Sequence, residues 1–424
     1  MAQKQYLIVG GSAAGMAAAE TIACLDPEGK VQVLSEEADA PYFRPLIPFI
    51  ISRKKNDRQI FLQGQGPYGS GKAEIRLQTR ARHIDPDARA VVADTGESFA
   101  YDRLLIATGS RPYIPEEIAG TDLEGVFALR TLADARKAEQ RAEVTRHAVM
   151  LGGGLLNLKA AFALLERGIA VTLVVFSPEV LSQLMEPEDA LLIRRALDQA
   201  GLRIVTGAAA TYITGNGSGV TGVVLDNGEE MACEMVCIGK GVRPNTRWIA
   251  ESGIDIQTGV VADKFTRTTS PDVYTAGDAA VTFDPITGEP MVTGLWTNAV
   301  EMGRCAGANM AGRPTAYGGT FGILNATQVA RMPFVAMGVV HTSGTDCEVH
   351  RRQTTNAYRK LVFSPEGDRL IGAVLVGDIG NAGLYRALIR DRMPLDGIKG
   401  QVIDHTLHYG HLLLATRTMT PISA

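Results

Sequence analysis

Twice along the chain a short apolar run leads into a cluster of glycines, then into a longer apolar stretch, then into a second apolar run. The first copy is Tyr6-Leu-Ile-Val-Gly-Gly-Ser-Ala-Ala-Gly15, followed by 16–23 and Val31-Gln-Val-Leu34. The second is Ala148-Val-Met-Leu-Gly-Gly-Gly-Leu-Leu-Asn157, followed by 158–167 and Val171-Thr-Leu-Val-Val175. Unbroken apolar runs of this length suit strands buried on both faces, as in a parallel sheet. An Ala- or Leu-rich stretch opening on a glycine turn suits a crossover helix. Each copy therefore predicts a βαβ unit whose turn presents backbone N–H groups to a phosphate. One such motif is weak evidence, but two in the same setting are much stronger.

Shorter signals divide the rest. Tyr101-Asp-Arg-Leu-Leu-Ile-Ala-Thr-Gly-Ser-Arg-Pro112 reads as a strand ending in a Thr-Gly turn, and Gly241-Val-Arg-Pro-Asn245 and Thr275-Ala-Gly-Asp278 read as two more strand-end turns. Their order predicts that the chain leaves a first domain near 112, builds a second, and returns near 240. From about 318 the pattern changes to short alternating strands, among them Arg359-Lys-Leu-Val-Phe363 and Leu370-Ile-Gly-Ala-Val-Leu-Val376, with a helix over 384–390. The predicted organisation is a discontinuous first domain (1–112 and 240–317), a second domain (113–239) and a C-terminal α+β domain (318–424).

Composition narrows the function. A chain of 424 residues with 46% hydrophobic and 21% charged content has ample material for several cores. Its 46 glycines exceed average usage, in keeping with repeated nucleotide-binding turns. A formal net charge of -4 and the lack of any Lys or Arg run argue against a nucleic-acid partner. The best membrane-span candidate, 321–340, contains Arg331, so no span is expected. The opening Met-Ala-Gln-Lys-Gln leaves no room for a signal peptide before the strand at Tyr6, and the cysteines at 24, 233, 237, 305 and 347 form no C-x-x-C pair. A cytoplasmic protein with reduced thiols is expected. His405, His408 and His411 recur at spacing three without a carboxylate pattern, so no metal site is expected there.

In the first unit the N–H groups of Gly10, Gly11, Ser12, Ala13, Ala14 and Gly15 face the expected pyrophosphate, with Gly10 allowing the tight turn and Ser12 standing for the middle glycine. Ser35, Glu36 and Glu37 end the second strand, where a carboxylate accepts hydrogen bonds from a ribose diol.

Through these motifs most of the chain resembles the FAD-dependent pyridine nucleotide-disulfide oxidoreductases. Four motifs carry the likeness: both glycine turns, Ala107-Thr-Gly-Ser-Arg-Pro112 and Tyr274-Thr-Ala-Gly-Asp278. The resemblance implies an α/β fold of the glutathione-reductase type, with two Rossmann-like domains for FAD and NAD and a C-terminal α+β interface domain that forms a homo-dimer or docks onto a hetero-complex. It implies that the first turn binds the ADP half of FAD, that Gly277 and Asp278 hold the ribityl chain, and that Ala81, Ala107, Thr108, Gly109 and Arg111 line the same cofactor. Leu34-Ser-Glu-Glu-Ala-Asp-Ala-Pro-Tyr-Phe-Arg-Pro45 and Leu295-Trp-Thr-Asn-Ala299 look like the rubredoxin, ferredoxin and nitrite reductase branch, which implies that Arg44, Pro45, Leu295, Trp296 and Ala299 lie beside the flavin.

Disulfide-reducing relatives carry their redox cysteine near the position of Pro45, yet no cysteine occurs here from residue 25 to 232. Thiol exchange needs a thiolate beside the flavin. The remaining implied chemistry takes a hydride from NAD(P)H and releases single electrons to an iron-sulfur, rubredoxin-like or ferredoxin-like carrier, or to a metalloenzyme subunit such as that of an aldehyde oxidoreductase. No protein nucleophile is assigned. The second turn departs from the pattern. Gly152, Gly154, Leu155 and Gly239 fit a dinucleotide, but Asn157 replaces the third glycine, Lys159 replaces an expected Glu, and Val175 stands at the acid usually paired with the NAD ribose. An altered but working NAD(H) site is expected, with NADP(H) the lesser alternative. A flavin-bearing relay or structural subunit without nicotinamide activity, and an NADH oxidase, are the competing readings.

Overall fold

A computed structural model describes residues 3–62, 73–319 and 323–413. The first residues of the apolar stretch 321–340 lie outside them. Among the described residues no helix is long and apolar enough to cross a membrane. The chain forms two compact units. The first comprises 1–116, 127–144 and 240–320, and the second 117–126, 145–239 and 321–424.

In the first unit, five parallel strands lie in the order Val273–Thr275, Arg103–Ile106, Gln5–Val9, Lys30–Leu34 and Ala73–Arg76. Their inward positions, including Leu7, Ile8, Val33, Leu104 and Leu105, are essentially inaccessible to water, as a sheet covered on both faces requires. One cover is a pair of helices, Ala13–Leu25 and Trp296–Met310. Their contact is made by small residues: a side chain at Gly303 would run into the Ala14 carbonyl, and one at Gly307 into that of Ala18. The other face packs against a three-stranded antiparallel layer, Ala81–Asp85, Ala90–Ala93 and Ser98–Ala100.

Among the described residues the second unit contains three sheets, the smallest an antiparallel layer of Ala210–Asn216, Gly219–Leu225 and Glu230–Ala232. Arg203–Thr206, Ala170–Val175, His147–Leu151 and Met235–Ile238 run parallel in that order, with the helix Leu155–Leu165 following the strand His147–Leu151. The C-terminal sheet is antiparallel, ordered Leu324–Val329, Met332–Gly338, Leu370–Val376, Tyr358–Phe363, Glu348–Gln353, and is followed by the helix Ala382–Arg390. A buried ionic group ties helix Pro187–Gln199 to this sheet. The Lys360 ammonium, wholly shielded from solvent, donates to Glu186 at 2.7 Å and Asp189 at 2.8 Å, and the Tyr358 hydroxyl donates to Asp189 at 2.6 Å.

Candidate functional site

The first glycine turn sits where the strand Gln5–Val9 gives way to the helix Ala13–Leu25. Gly10 has φ +122°, and any side chain there would strike the Ala107 carbonyl oxygen. The glycine is required both by conformation and by close approach. Its N–H donates to the Leu34 carbonyl at 2.8 Å. Ser12 starts the helix without a side-chain capping bond. The turn is thus a bare cradle of peptide groups at the positive end of a helix of 13 residues, the form an ADP pyrophosphate fits.

Around this cradle the fold gathers most of the other expected positions. Gly277 lies against Ala14 on one side and Ala299 on the other. Asp278 is nearly buried, and one of its oxygens accepts from the Ser110 hydroxyl and from the Arg130 guanidinium, both at 2.8 Å. Arg130 also donates to the Ser110 carbonyl at 3.0 Å. Arg44 donates to the Arg130 carbonyl at 2.7 Å and to Glu37 at 2.6 Å, and the Tyr42 hydroxyl donates to Glu37 at 2.6 Å. Burial works against the Arg44 charge, but Tyr42 and Glu37 more than offset it, so its pKa rises and it stays cationic. Leu295 caps the helix that Trp296 begins, and Trp296 packs on Phe43, ring centroids 4.6 Å apart. The Arg44-Pro45 segment and the Leu295-Trp296 segment therefore meet through Phe43.

The other expected residues border that group in different ways, Ser35 against Gly11, Thr108 against Gly10 and Gly109 beside Arg130. Glu36 faces water, with Arg80 at 3.6 Å, and is open to a diol, whereas Glu37 is committed to Arg44 and Ser35 is buried. Thr108 is cross-linked to Asn245 by a hydroxyl bond of 2.8 Å and a returning amide bond of 3.0 Å, and Gly109 accepts from the Asn245 N–H at 2.9 Å. Arg111 spends its guanidinium on the Pro244 carbonyl at 3.0 Å. Ala81 packs in the layer with Leu7, Val9 and Leu34.

The second turn repeats the first. Gly152 donates to the Val174 carbonyl at 2.8 Å, and Gly154 caps the helix that Leu155 begins. Asn157, whose side chain at a glycine position would crowd helix against strand, is accommodated because Gly239 opposite it has no side chain; a Cβ there would overlap the Asn157 amide. The Asn157 amide is turned inward and donates to the Leu151 and Gly152 carbonyls, both at 2.9 Å. It holds the turn together from below. Lys159 is half-buried, burial lowers its pKa, and among the described residues it has no ion-pair partner.

All five cysteines are unpaired. Burial pushes the Cys233 and Cys237 thiols up to about 12 and Cys305 to about 11, which keeps them protonated and unreactive near neutrality. Cys24 lies at the far end of its helix, ~16 Å along the axis from the glycine turn. His405 is turned to Tyr385 at 2.9 Å and Asp378 at 3.4 Å, while the His408 and His411 rings lie 3.7 Å apart. Among the described residues no group of three or more His, Cys, Asp or Glu side chains is placed to hold a metal ion.

Arg130, which donates to both Asp278 and Ser110, belongs to none of the sequence motifs. Its only local signal is that it precedes Thr131, whose hydroxyl and the Asp134 carboxylate form a reciprocal cap on the helix Leu132–Arg141. That cap fixes where the helix starts and hence where Arg130 reaches.

A family model described as pyridine nucleotide-disulphide oxidoreductase matches residues 4–303. The NADH-dependent phenylglyoxylate dehydrogenase subunit epsilon of Aromatoleum evansii is 28% identical over 97% of this chain and 97% of its own. The rubredoxin-NAD(+) reductase of Pseudomonas putida is 30% identical over 73% of this chain and 80% of its own. Among solved structures, a ferredoxin reductase from Rhodopseudomonas palustris superposes with a TM-score of 0.83 at 25% identity, covering 92% of this chain and 95% of that one.

Proposed function

Since the chain belongs to the pyridine nucleotide-disulphide oxidoreductase family, we propose that it is an FAD-dependent NAD(P)H oxidoreductase that passes electrons between a nicotinamide dinucleotide and a one-electron carrier or metalloenzyme subunit. FAD, when bound, supplies the exchange between a two-electron donor and one-electron acceptors. The observation that carries the reading is the convergence, in one unit, of the Gly10 cradle with the Asp278, Ser110 and Arg130 group and the Arg44, Phe43 and Trp296 wall. In this reading Gly10 to Gly15 hold the pyrophosphate, Glu36 the adenosine ribose, and Asp278, oriented by Ser110 and Arg130, the ribityl chain. The helix Trp296–Met310 would turn the positive end of its dipole toward the bound flavin. Residues 1–112 and 240–317 are taken as the FAD domain and 113–239 as the NAD(P) domain.

The end-to-end match to a named dehydrogenase subunit supports a role within a larger redox assembly, with 318–424 as the docking domain or a homo-dimer contact. The match to a rubredoxin reductase supports a small iron-sulfur or iron-thiolate carrier as the electron partner. We place the protein in the cytoplasm, where five unpaired thiols persist. Anaerobic addition of NADH to the yellow protein is expected to abolish its visible flavin absorbance. Colour that survives both NADH and NADPH, yet disappears on adding a reduced partner, rejects this reading in favour of a relay subunit.

A further inference from the structure

The two βαβ units can be compared residue by residue through their own hydrogen bonds. The Gly10 N–H donates to the Leu34 carbonyl and the Gly152 N–H to the Val174 carbonyl, both at 2.8 Å. The residue after each of those carbonyls points inward. Ser35 and Val175 are both buried, and each lies beneath the second glycine of its turn, Gly11 or Gly153. The next residue points outward: Glu36, an exposed carboxylate, in the first unit and Phe176, 71% exposed, in the second. The outward counterpart of Glu36 is therefore Phe176, one position beyond the Val175 that counting along the sequence selects.

In a unit of this kind the strand end decides how the adenosine ribose is read. A carboxylate accepts from the 2′- and 3′-hydroxyls and repels a 2′-phosphate, while an Arg does the reverse. Here neither is present. The carboxylate three residues on, Glu179, pairs with Arg194 at 3.2 Å and accepts from the Val180 N–H at 2.8 Å, and the Ser177 hydroxyl is engaged with Ser182 at 3.0 Å. What the strand end offers instead is the most exposed of the large apolar side chains among the described residues. An aromatic face left in water at the adenosine end of a dinucleotide cradle suits a purine ring, whose stacking is strong and indifferent to the ribose substituent.

We infer that the second unit takes the adenosine half of its dinucleotide by stacking the adenine on Phe176, without reading the ribose 2′ position, so that NADH and NADPH are both accepted. This rests on the nicotinamide-dependent reading above and names the residue that sets its cofactor preference.

The test is calorimetric titration of the FAD-loaded protein with NAD+ and with NADP+, alongside anaerobic reduction by NADH and NADPH. The wild-type affinities are expected to agree within about tenfold. Phe176→Ala should weaken both about tenfold while FAD content and melting temperature stay unchanged, and Phe176→Trp should retain both. Phe176→Glu should weaken NADP+ at least tenfold more than NAD+, because the carboxylate repels the 2′-phosphate. A wild-type preference above a hundredfold, or a Phe176→Ala variant that binds both as tightly as wild type, overturns the inference. Flavin reduction by one dinucleotide alone does so while leaving the oxidoreductase reading intact; no response to either removes both.

Discussion

The Asp278 carboxylate receives two donors on one oxygen, from Ser110 and Arg130, which fixes its rotamer and leaves the other oxygen free for a ligand hydroxyl. Charge-assisted hydrogen bonds of this sort contribute about 1.5–3 kcal/mol. Arg130→Met is therefore expected to loosen FAD by roughly tenfold or more, read as the flavin fraction that passes through an ultrafiltration membrane, while Asp278→Ala should yield colourless protein. The two residues differ in how visible they were beforehand. Asp278 lies in a strand-end motif whose turn and acid are adjacent in sequence. Arg130 reaches the same oxygen from a helix start far away along the chain, and no local pattern encodes that meeting. Asn157 shows a related limit. Its bulk was legible as an obstacle at the third glycine position, but the relief depends on Gly239, which lies just past the end of the neighbouring strand Met235–Ile238 and becomes its partner only once the sheet has formed.

Among the elements, both strand, turn and helix repeats were legible because each is short-range and its apolar period is unambiguous, and the strand Leu370–Val376 and the helix Ala382–Arg390 stand where the pattern put them. The attachment of helix Pro187–Gln199 to the C-terminal sheet was not legible. It depends on Lys360, in a strand whose alternation marks it as an ordinary polar residue, finding Glu186 and Asp189 by a long excursion of the chain. Lys360→Met takes the cation from the fully buried Asp189 and leaves the partly buried Glu186 with Arg351 and Thr342, and should cost about 3–5 kcal/mol, measured by urea denaturation. Burial raises the Glu186 pKa, but the Lys360 ammonium and the Thr342 N–H more than offset it and bring the group down to about 2. Because the folded value lies below the unfolded one, its contribution is present above about pH 4.5 and is lost as pH falls toward 2. Acid denaturation followed by circular dichroism should show a wild-type loss in that window that Lys360→Met largely lacks.

For the molecule as a whole, the redox chemistry is expected to run without any protein thiol. Three of the five thiols are buried with raised pKa values, and only Cys24 and Cys347 reach solvent. Iodoacetamide at pH 8 should label those two and leave NADH-driven dye reduction intact; substantial inactivation would count against a thiol-free route. A different whole-molecule property follows from the helix pair Ala13–Leu25 and Trp296–Met310, which touch through Gly303 and Gly307 against the Ala14 and Ala18 backbone. At those points backbone meets backbone, so each helix loses its support when the other loses order. FAD bound at the start of helix Ala13–Leu25 is therefore expected to act as a folding ligand for both helices, with a melting temperature that rises with free cofactor.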